Sequence, residues 1–380
     1  MQSKELRTFK DCFSDVEDPR IDRCKRHELL DIIGLCLTGV ICGCDNWVEI
    51  AEYGQEKLEF LQAHFGFENA IPSHDTLGRV MSLLDPSQFH EGLVNWTRLL
   101  RRKLKGEVIA IDGKAVRGSS DAFTGKAYIT MVSAWAKTNG LVLAHHKVDM
   151  KSNEIQAIPE LLNVLDITDC IVTIDAMGTQ KEITAQIRQQ GGHYVLALKK
   201  NHPTLYEEVQ STFSHMGDTD LLYRQTEVDK GHGRIERRTV EALPRDQAAR
   251  WILEEDLAGW TDLELIVRVQ SERIFVDHTE KNERYYLSSI PLTDLSRHTL
   301  NEVIRSHWSV ENNLHWTLDV TFKEDLCQVR TGHADENLAT LRKMALNLLQ
   351  KNKHKASIKR KRLKAGWNNE FLLQILNPDL

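Results

Sequence analysis

The 380-residue sequence has no apolar run long enough to cross a bilayer, which takes about 20 consecutive apolar residues as a helix. Its longest candidate, LLDIIGLCLTGVICG at 29–43, is too short and carries Asp31. The opening MQSKELRTFKDCF has no apolar centre of the kind an export signal needs. Both absences argue against a membrane partner and predict a cytoplasmic protein. Seven cysteines, an odd number, show no paired spacing, which argues against a disulfide framework. Cys36, Cys42 and Cys44 share one apolar stretch without a second CxxC or a nearby His pair, so they read as buried thiols and not as a zinc cluster. Positive charge is not in excess either: the net charge is −6. A protein coated in basic residues is excluded, and any nucleic-acid contact must be local. The exception is KNKHKASIKRKRLK at 351–364, with Lys and Arg throughout and no acid.

Hydrophobic content of 41% and charged content of 27% are those of an ordinary globular protein. Residues 1–100 carry apolar residues at three-and-four spacing, which predicts a helical region. Ser73 stands as an N-cap before HDTLGRVMSLL, and Pro86 opens the helix that follows. Short helices joined by tight turns suit a helix-turn-helix DNA reader or a plain packing domain; spacing leaves both open. From 106 the pattern changes to strands. EVIAIDGKAV is the first, and YITMVSAWAK and LVLAHHKV flank Thr138-Asn139-Gly140, a strong hairpin signal. A helix, the strand CIVTIDAM, another helix, the strand HYVLALKK and the helix PTLYEEVQSTF follow. This order predicts a mixed α/β sheet covered by helices, with the element order of the ribonuclease H fold. GRIERRTVEAL, LELIVRVQSERI and ERYYLSSI, within 224–290, read as a β-rich insertion with long polar loops. The expected organisation is a helical domain at 1–100, a catalytic domain at 101–350 and a basic tail at 351–380.

Two of these strands end on an acid. Val108 to Ile111 run into Asp112, and CIVTID ends on Asp175. In TLNEVIRSHWSVENNLHWTLDV at 299–320, helical stepping gives Leu300, Ile304, Trp308, Glu311, His315 and Leu318 as one face. Glu311 is then expected on a buried stripe, where an ionised carboxylate must be paired, protonated or bound to metal. Two aspartates at strand ends and a glutamate on a helix suit two Mg²⁺ ions, with Mn²⁺ able to substitute. Asp112 reads as the bridging ligand, completed by Asp175 on one side and Glu311 on the other. A second metal reading takes His307, Glu311 and His315, four apart, as zinc ligands, but HExxH is absent and the two aspartates would go unexplained.

The stretches AIDGKAVRGS, TIDAMGTQ, YVLALKKNHPTL, GHGRIERR, HWSVENNLHWTLDVTFKED and KRKRLKAGW make the chain resemble, over nearly its whole length, the DDE transposases of bacterial insertion sequences. The resemblance is to the H-repeat-associated type found beside Rhs elements. It implies Mg²⁺-dependent DNA cleavage at element ends, transfer of the 3′-hydroxyl to target DNA, a homodimer or higher multimer on DNA, and residence at the nucleoid. The wider superfamily places Tyr, Arg and Lys at fixed steps around the glutamate. Here those steps fall on Ile304, His307 and Leu318, and Arg305 and Trp308 stand nearby as replacements.

Candidate DNA contacts are Lys114 beside Asp112, Lys199 and Lys200 after their strand, His232 and Arg237 in GHGRIERR, Arg305 and Trp308, and Lys359, Arg360, Lys361 and Arg362 in the basic run. Alternation sets Arg234, Glu236 and Arg238 on one face of their strand and Arg237 on the other. Glu324 and Asp325 read as capping or ion-pairing acids. Two other functions fit the same residues: a metal-dependent nuclease without strand transfer, and a silent DNA-binding relic.

Overall fold

The computed structural model describes residues 9–68, 70–102, 105–148, 154–216, 223–231, 233–296 and 299–377. The chain first forms helices α1 (Leu29–Cys42), α2 (Trp47–Glu56), α3 (Leu58–Phe65), α4 (His74–Leu83) and α5 (Pro86–Leu100). Then come β1 (Val108–Val116), β2 (Ile129–Ala136), β3 (Leu141–Val148), α6 (Glu154–Asn163), β4 (Ile171–Ile174), α7 (Lys181–Gln189), β5 (His193–Leu198) and α8 (Pro203–His215). Strands β6 (Tyr223–Gly231), β7 (Arg234–Pro244), β8 (Leu265–Ile274) and β9 (Thr279–Ser288) follow, with two short helical turns between β7 and β8. The chain closes with α9 (Leu300–Ser309), a π-helical segment (Val310–His315), α10 (Trp316–Val320), α11 (Ala334–Lys351), α12 (Ile358–Trp367) and α13 (Asn369–Leu376). No single described helix is long and apolar enough to cross a membrane.

The described strands form one mixed sheet in the order β3-β2-β1-β4-β5-β9-β8-β7-β6. Its first five strands, with β1, β4 and β5 parallel and β2 and β3 a hairpin, make the ribonuclease H-like core that the element order predicts. Gly140 supplies the left-handed backbone, φ +64, that the hairpin turn requires. Packing divides the chain into two units: Met1–Arg102 with Gly113–Asn153 and Glu311–Leu380, and Lys103–Asp112 with Glu154–Val310.

The first unit is organised on α11, which packs against α1, α4, α5 and β3 and buries Leu338, Leu341, Met344, Ala345 and Leu348. Its polar residues hold its neighbours. The Asn347 amide accepts from the Val142 N–H at 2.8 Å and donates to the Val142 carbonyl at 2.9 Å, as a strand partner would. Asn337 donates to the carbonyls of Met81 and Leu84 at the end of α4. Ser73 caps α4 and Asp85 caps α5 ahead of Pro86. Beyond 351, where a tail is expected, the chain folds into α12 and α13, which pack on each other and on α11. Ser357 and Asn368 cap those two helices.

In the second unit, β9 adds antiparallel to β5, and β8, β7 and β6 follow in register. The β-rich segment therefore continues the same sheet; a tight hairpin joins β8 to β9 where a long polar loop is expected, while the long connection between β7 and β8 carries the two short helical turns. Strand β6 is not anticipated, because YRQTEVDKG is polar on both faces and has no apolar alternation to mark it. One face of this extension is covered by α9: Leu300, Val303 and Ile304 pack with Val240, Ala242, Val267, Val269 and Tyr286. A capping box, with Thr299 and Glu302 each bonding the other's backbone N–H, starts α9.

Candidate metal site and nucleic-acid contacts

Strands β1 and β4 run parallel with Val108 to Ile111 opposite Ile171 to Ile174, residue for residue. All eight side chains are buried, so register slippage would expose an entire core face. Asp112 and Asp175 are the first residues past this ladder, on neighbouring strands that lie about 4.8 Å apart. Both are half-buried. Asp175 ends its strand, as expected. Asp112 does not: β1 continues to Val116, and only its pairing with β4 stops at Ile111.

The turn after β4 is fixed by its own side chains. The Asp175 carboxylate accepts from the Met177 N–H at 3.0 Å, capping the single 3₁₀ turn Ala176–Gly178. Gly178 is required there, since a Cβ would come within 2.3 Å of Ile174 Cγ2 and 2.7 Å of Ile158 Cδ1. The Thr179 hydroxyl donates to the Ala197 carbonyl on β5 at 2.7 Å, and the Asn201 amide donates to the Ala176 carbonyl at 2.6 Å. Lys199 and Lys200 extend from the same end of β5 and are exposed. Glu154, the first residue of α6, was not anticipated here. Burial and the nearby Asp175 charge raise its carboxyl above the usual range.

Helix α9 is anchored to the strand that delivers Asp175, because His307 Nδ1 lies 3.2 Å from Thr173 Oγ1. Burial lowers the His307 pKa, against an opposing pull from Asp175. This contact accounts for His307 without zinc. Arg305 and Trp308 are exposed on the same helix, with the Arg284 guanidinium 5.1 Å over the Trp308 ring.

Glu311 departs from expectation. It is 54% exposed, and the buried positions around it are Val310, Leu314 and Leu318. The buried seam runs instead through Val303, Ser306, Val310, Leu314 and Leu318, and Trp308 of the predicted stripe is exposed as well; Val310–His315 is a π-helical turn. Such turns are frequent at functional sites. The His315 ring, itself buried, sets Nδ1 3.6 Å from Glu311 Oε2. Glu311 and His315 lie in the first unit, and Asp112, Asp175 and His307 in the second.

The expected DNA contacts divide. Lys199, Lys200, Arg237, Arg305, Trp308, Lys359 and Arg360 are exposed. Lys114 is instead buried against the carboxylates of Asp319, Glu324 and Asp325. Lys361 donates to the carbonyls of Leu349 and Asn352, and Arg362 to those of Val40 and Thr321. These three cations serve the interior, where their hydrogen bonds offset the cost of burial. A run of basic residues on a helix must turn some of them inward, which composition cannot reveal. His232 lies outside the described residues.

Residues 103–348 match the family described as Transposase DDE domain, and residues 10–97 the one described as DDE_Tnp_1-associated. The chain is 38% identical over 380 residues to a protein of Escherichia coli K12 named "H repeat-associated putative transposase YhhI", covering 98% of both. It is 45% identical over 56 residues, 15% of this chain and 67% of the other, to one named "Inactive transposase YbfQ" from the same organism. Among solved structures, a piggyBac transposase synaptic complex with hairpin DNA aligns with a TM-score of 0.41 at 10% identity, over 99% of this chain and 82% of that one.

Proposed function

This chain belongs to the family of DDE transposases, and from that premise we propose that it cuts DNA at the ends of its own element and joins the freed 3′-hydroxyl to target DNA. The observation that carries the proposal is the parallel register of β1 and β4, which sets Asp112 and Asp175 side by side at the end of a buried ladder. Glu311, the exposed acid of the π-turn, is the third member. These three carboxylates would hold Mg²⁺, or Mn²⁺ in its place, with oxygen ligands of the type hard cations prefer. A bound divalent ion supplies polarisation of the phosphate and a water made nucleophilic at neutral pH.

The chain's own part is positioning and charge. The ladder and the cap on Met177 N–H hold Asp175 in one rotamer, and His307 ties α9 to β4. Lys199, Lys200, Arg305 and Trp308 would engage phosphates and bases beside the acids. In the first step water attacks phosphorus and the 3′-oxygen leaves as a hydroxyl. In the second that hydroxyl attacks a target phosphodiester, displacing another 3′-oxygen. Neither step forms a covalent bond to protein, so no Ser or Tyr nucleophile is needed. Arg237, Lys359 and Arg360 would add salt-sensitive backbone contacts, and the DNA-bound form would be a dimer or larger.

The test is an incubation of the purified chain with labelled duplex carrying the sequences that flank its gene, supercoiled target and Mg²⁺ or Mn²⁺. Metal-dependent nicking at the ends, followed by labelled joint products, is the expected result. Nicking without joining, even from a pre-cut 3′-end, would identify a nuclease. Binding without either product would identify a silent relic.

A further inference from the structure

Lys114 lies two residues beyond Asp112 on β1, and its side chain is 9% exposed. Its ammonium is 2.7 Å from Asp319 Oδ1, 3.0 Å from Glu324 Oε2 and 3.1 Å from Asp325 Oδ1. Glu324 is fully buried, and buried Arg342 and Lys343 of α11 add positive charge beside it. Three acids are thus matched by three bases inside one unit.

The segment bearing these acids is strapped to the chain that leaves β1. Asp325 also accepts from the Arg117 N–H at 3.1 Å, and Arg330 Nε donates to the Gly118 carbonyl at 3.0 Å. Gly118 permits the approach: a Cβ there would fall 2.2 Å from the Cys327 carbonyl oxygen and 2.9 Å from that of Asp325.

A buried ion cluster of this kind is a poor source of net stability, because desolvation of each ion costs several kcal/mol and an apolar replacement is often neutral. Geometry is a better account of it. Alternate residues of a strand point to one face, so Asp112 and Lys114 share a face of β1 about 7 Å apart. Asp319 stands in α10, which continues directly from the π-turn that bears Glu311. Eight residues of helix separate the two acids, a rise of about 12 Å. One ammonium therefore grips the strand two residues from Asp112 and the helical run two turns from Glu311.

We propose that Lys114 is a positioning residue of the metal site: an internal cation that ties the helical run of Glu311 to the end of β1 and so holds Glu311 in the pose that metal binding requires. The inference rests on the reading of Asp112 and Glu311 as metal ligands. It differs from the sequence expectation for Lys114, since no contact with DNA is involved.

The experiment uses full-length protein and Mn²⁺ as the probe. Mn²⁺ binding is followed by electron paramagnetic resonance without DNA, and cleavage is followed across a Mn²⁺ titration. Lys114→Met removes the charge at similar volume. Asp319→Asn, at a partly exposed position, weakens the same link while leaving the lysine paired with Glu324 and Asp325. Both variants should raise the half-saturating Mn²⁺ concentration, by about 10- to 100-fold for Lys114→Met, as expected for a supporting residue, and by less for Asp319→Asn. DNA affinity should stay within about twofold, and excess Mn²⁺ should restore much of the rate. Wild-type Mn²⁺ dependence in Lys114→Met would overturn the inference. If Lys114→Met does not fold, Asp319→Asn decides: wild-type Mn²⁺ binding in that variant overturns the inference equally. Failure of the wild-type chain itself to bind Mn²⁺ would instead remove the metal reading beneath it.

Discussion

Asp175 can be tested by two substitutions that separate its chemistry from its structural work. Its carboxylate has one visible structural duty, the hydrogen bond from Met177 N–H at 3.0 Å. Asn retains an oxygen in the same place, so Asp175→Asn keeps the cap and loses only the negative charge. Asp175→Ala loses both, and an N-cap of this kind contributes about 0.5–2 kcal/mol. Asp175→Ala should therefore melt a few degrees below wild type, with Asp175→Asn close to it. Catalysis should behave differently. Loss of one preorganised electrostatic group lowers rates by about 10²–10³, or about 2.7–4 kcal/mol, and a metal ligand should reach at least that. Both variants should then fall below about 1% of wild-type cleavage while binding end DNA almost as well, since the cations that would hold the backbone are elsewhere. The assay combines cleavage of labelled ends, fluorescence anisotropy and thermal melting. Asp175→Asn cleaving within tenfold of wild type would refute the ligand role. A parallel fall of DNA affinity and melting temperature in both variants would make Asp175 a structural residue.

Other consequences are equally direct. The His145 backbone N–H donates to His90 Nε2 at 3.0 Å, so that nitrogen must be unprotonated in the fold. Burial, with help from His146 and Lys343, lowers the His90 pKa from 6.5 to about 4. The stabilisation is present above about pH 6.5 and is lost as pH falls toward about 4, a change of about 3 kcal/mol at 1.36 kcal/mol per pKa unit. His90→Gln keeps an acceptor without titrating, and its melting temperature should fall less steeply over that range. Lys359→Glu with Arg360→Glu should weaken DNA binding and flatten its salt dependence, by about 0.9 in log–log slope for each phosphate that is no longer neutralised. Lys361→Met or Arg362→Met should instead lower the melting temperature, since those side chains satisfy buried carbonyls. Gly178→Ala should cost about 1–3 kcal/mol of overpacking against Ile174 and Ile158 and impair cleavage by moving the Asp175 turn, read by melting and end cleavage together.

The core was legible where the chain's local grammar coincides with its tertiary role. Val108–Ile111 and, save for Thr173, Cys170–Ile174 are apolar because both faces of their strands are covered, and Asn139-Gly140 meets the backbone demand of a tight hairpin. Strand β6 was illegible for the opposite reason: its residues are paired through backbone groups that every residue possesses, and its side chains carry no burial signal. The basic run at 351–364 exposes a different limit. Lys361 and Arg362 differ from Lys359 and Arg360 only in the helix face they occupy, and that face depends on the preceding α11 and on α1, far away in sequence.

Glu311 joins these two lessons. The sequence singles out the acid for a burial that the structure does not show. A 3.6-residue period carried from Leu300 to Leu318 puts Glu311 on the buried stripe, and its charge then needs a partner. The buried seam runs instead through Val303, Ser306, Val310, Leu314 and Leu318, and Glu311 faces outward on the wide turn at Val310–His315. For a ligand this is the more useful result. A carboxylate locked in an apolar stripe would be protonated or tied to a neighbouring base, whereas an exposed one can exchange water for metal. Trp308, on the same predicted stripe, is exposed as well, while Val310 and Leu314 keep the apolar seam through the turn. Repairing it by deleting a single residue within 312–314 should restore a continuous α-helix and draw position 311 toward the core. Mn²⁺ binding should then be lost in a protein that remains folded by circular dichroism. Retention of Mn²⁺ affinity in that deletion variant would show that the wide turn has no part in presenting the acid.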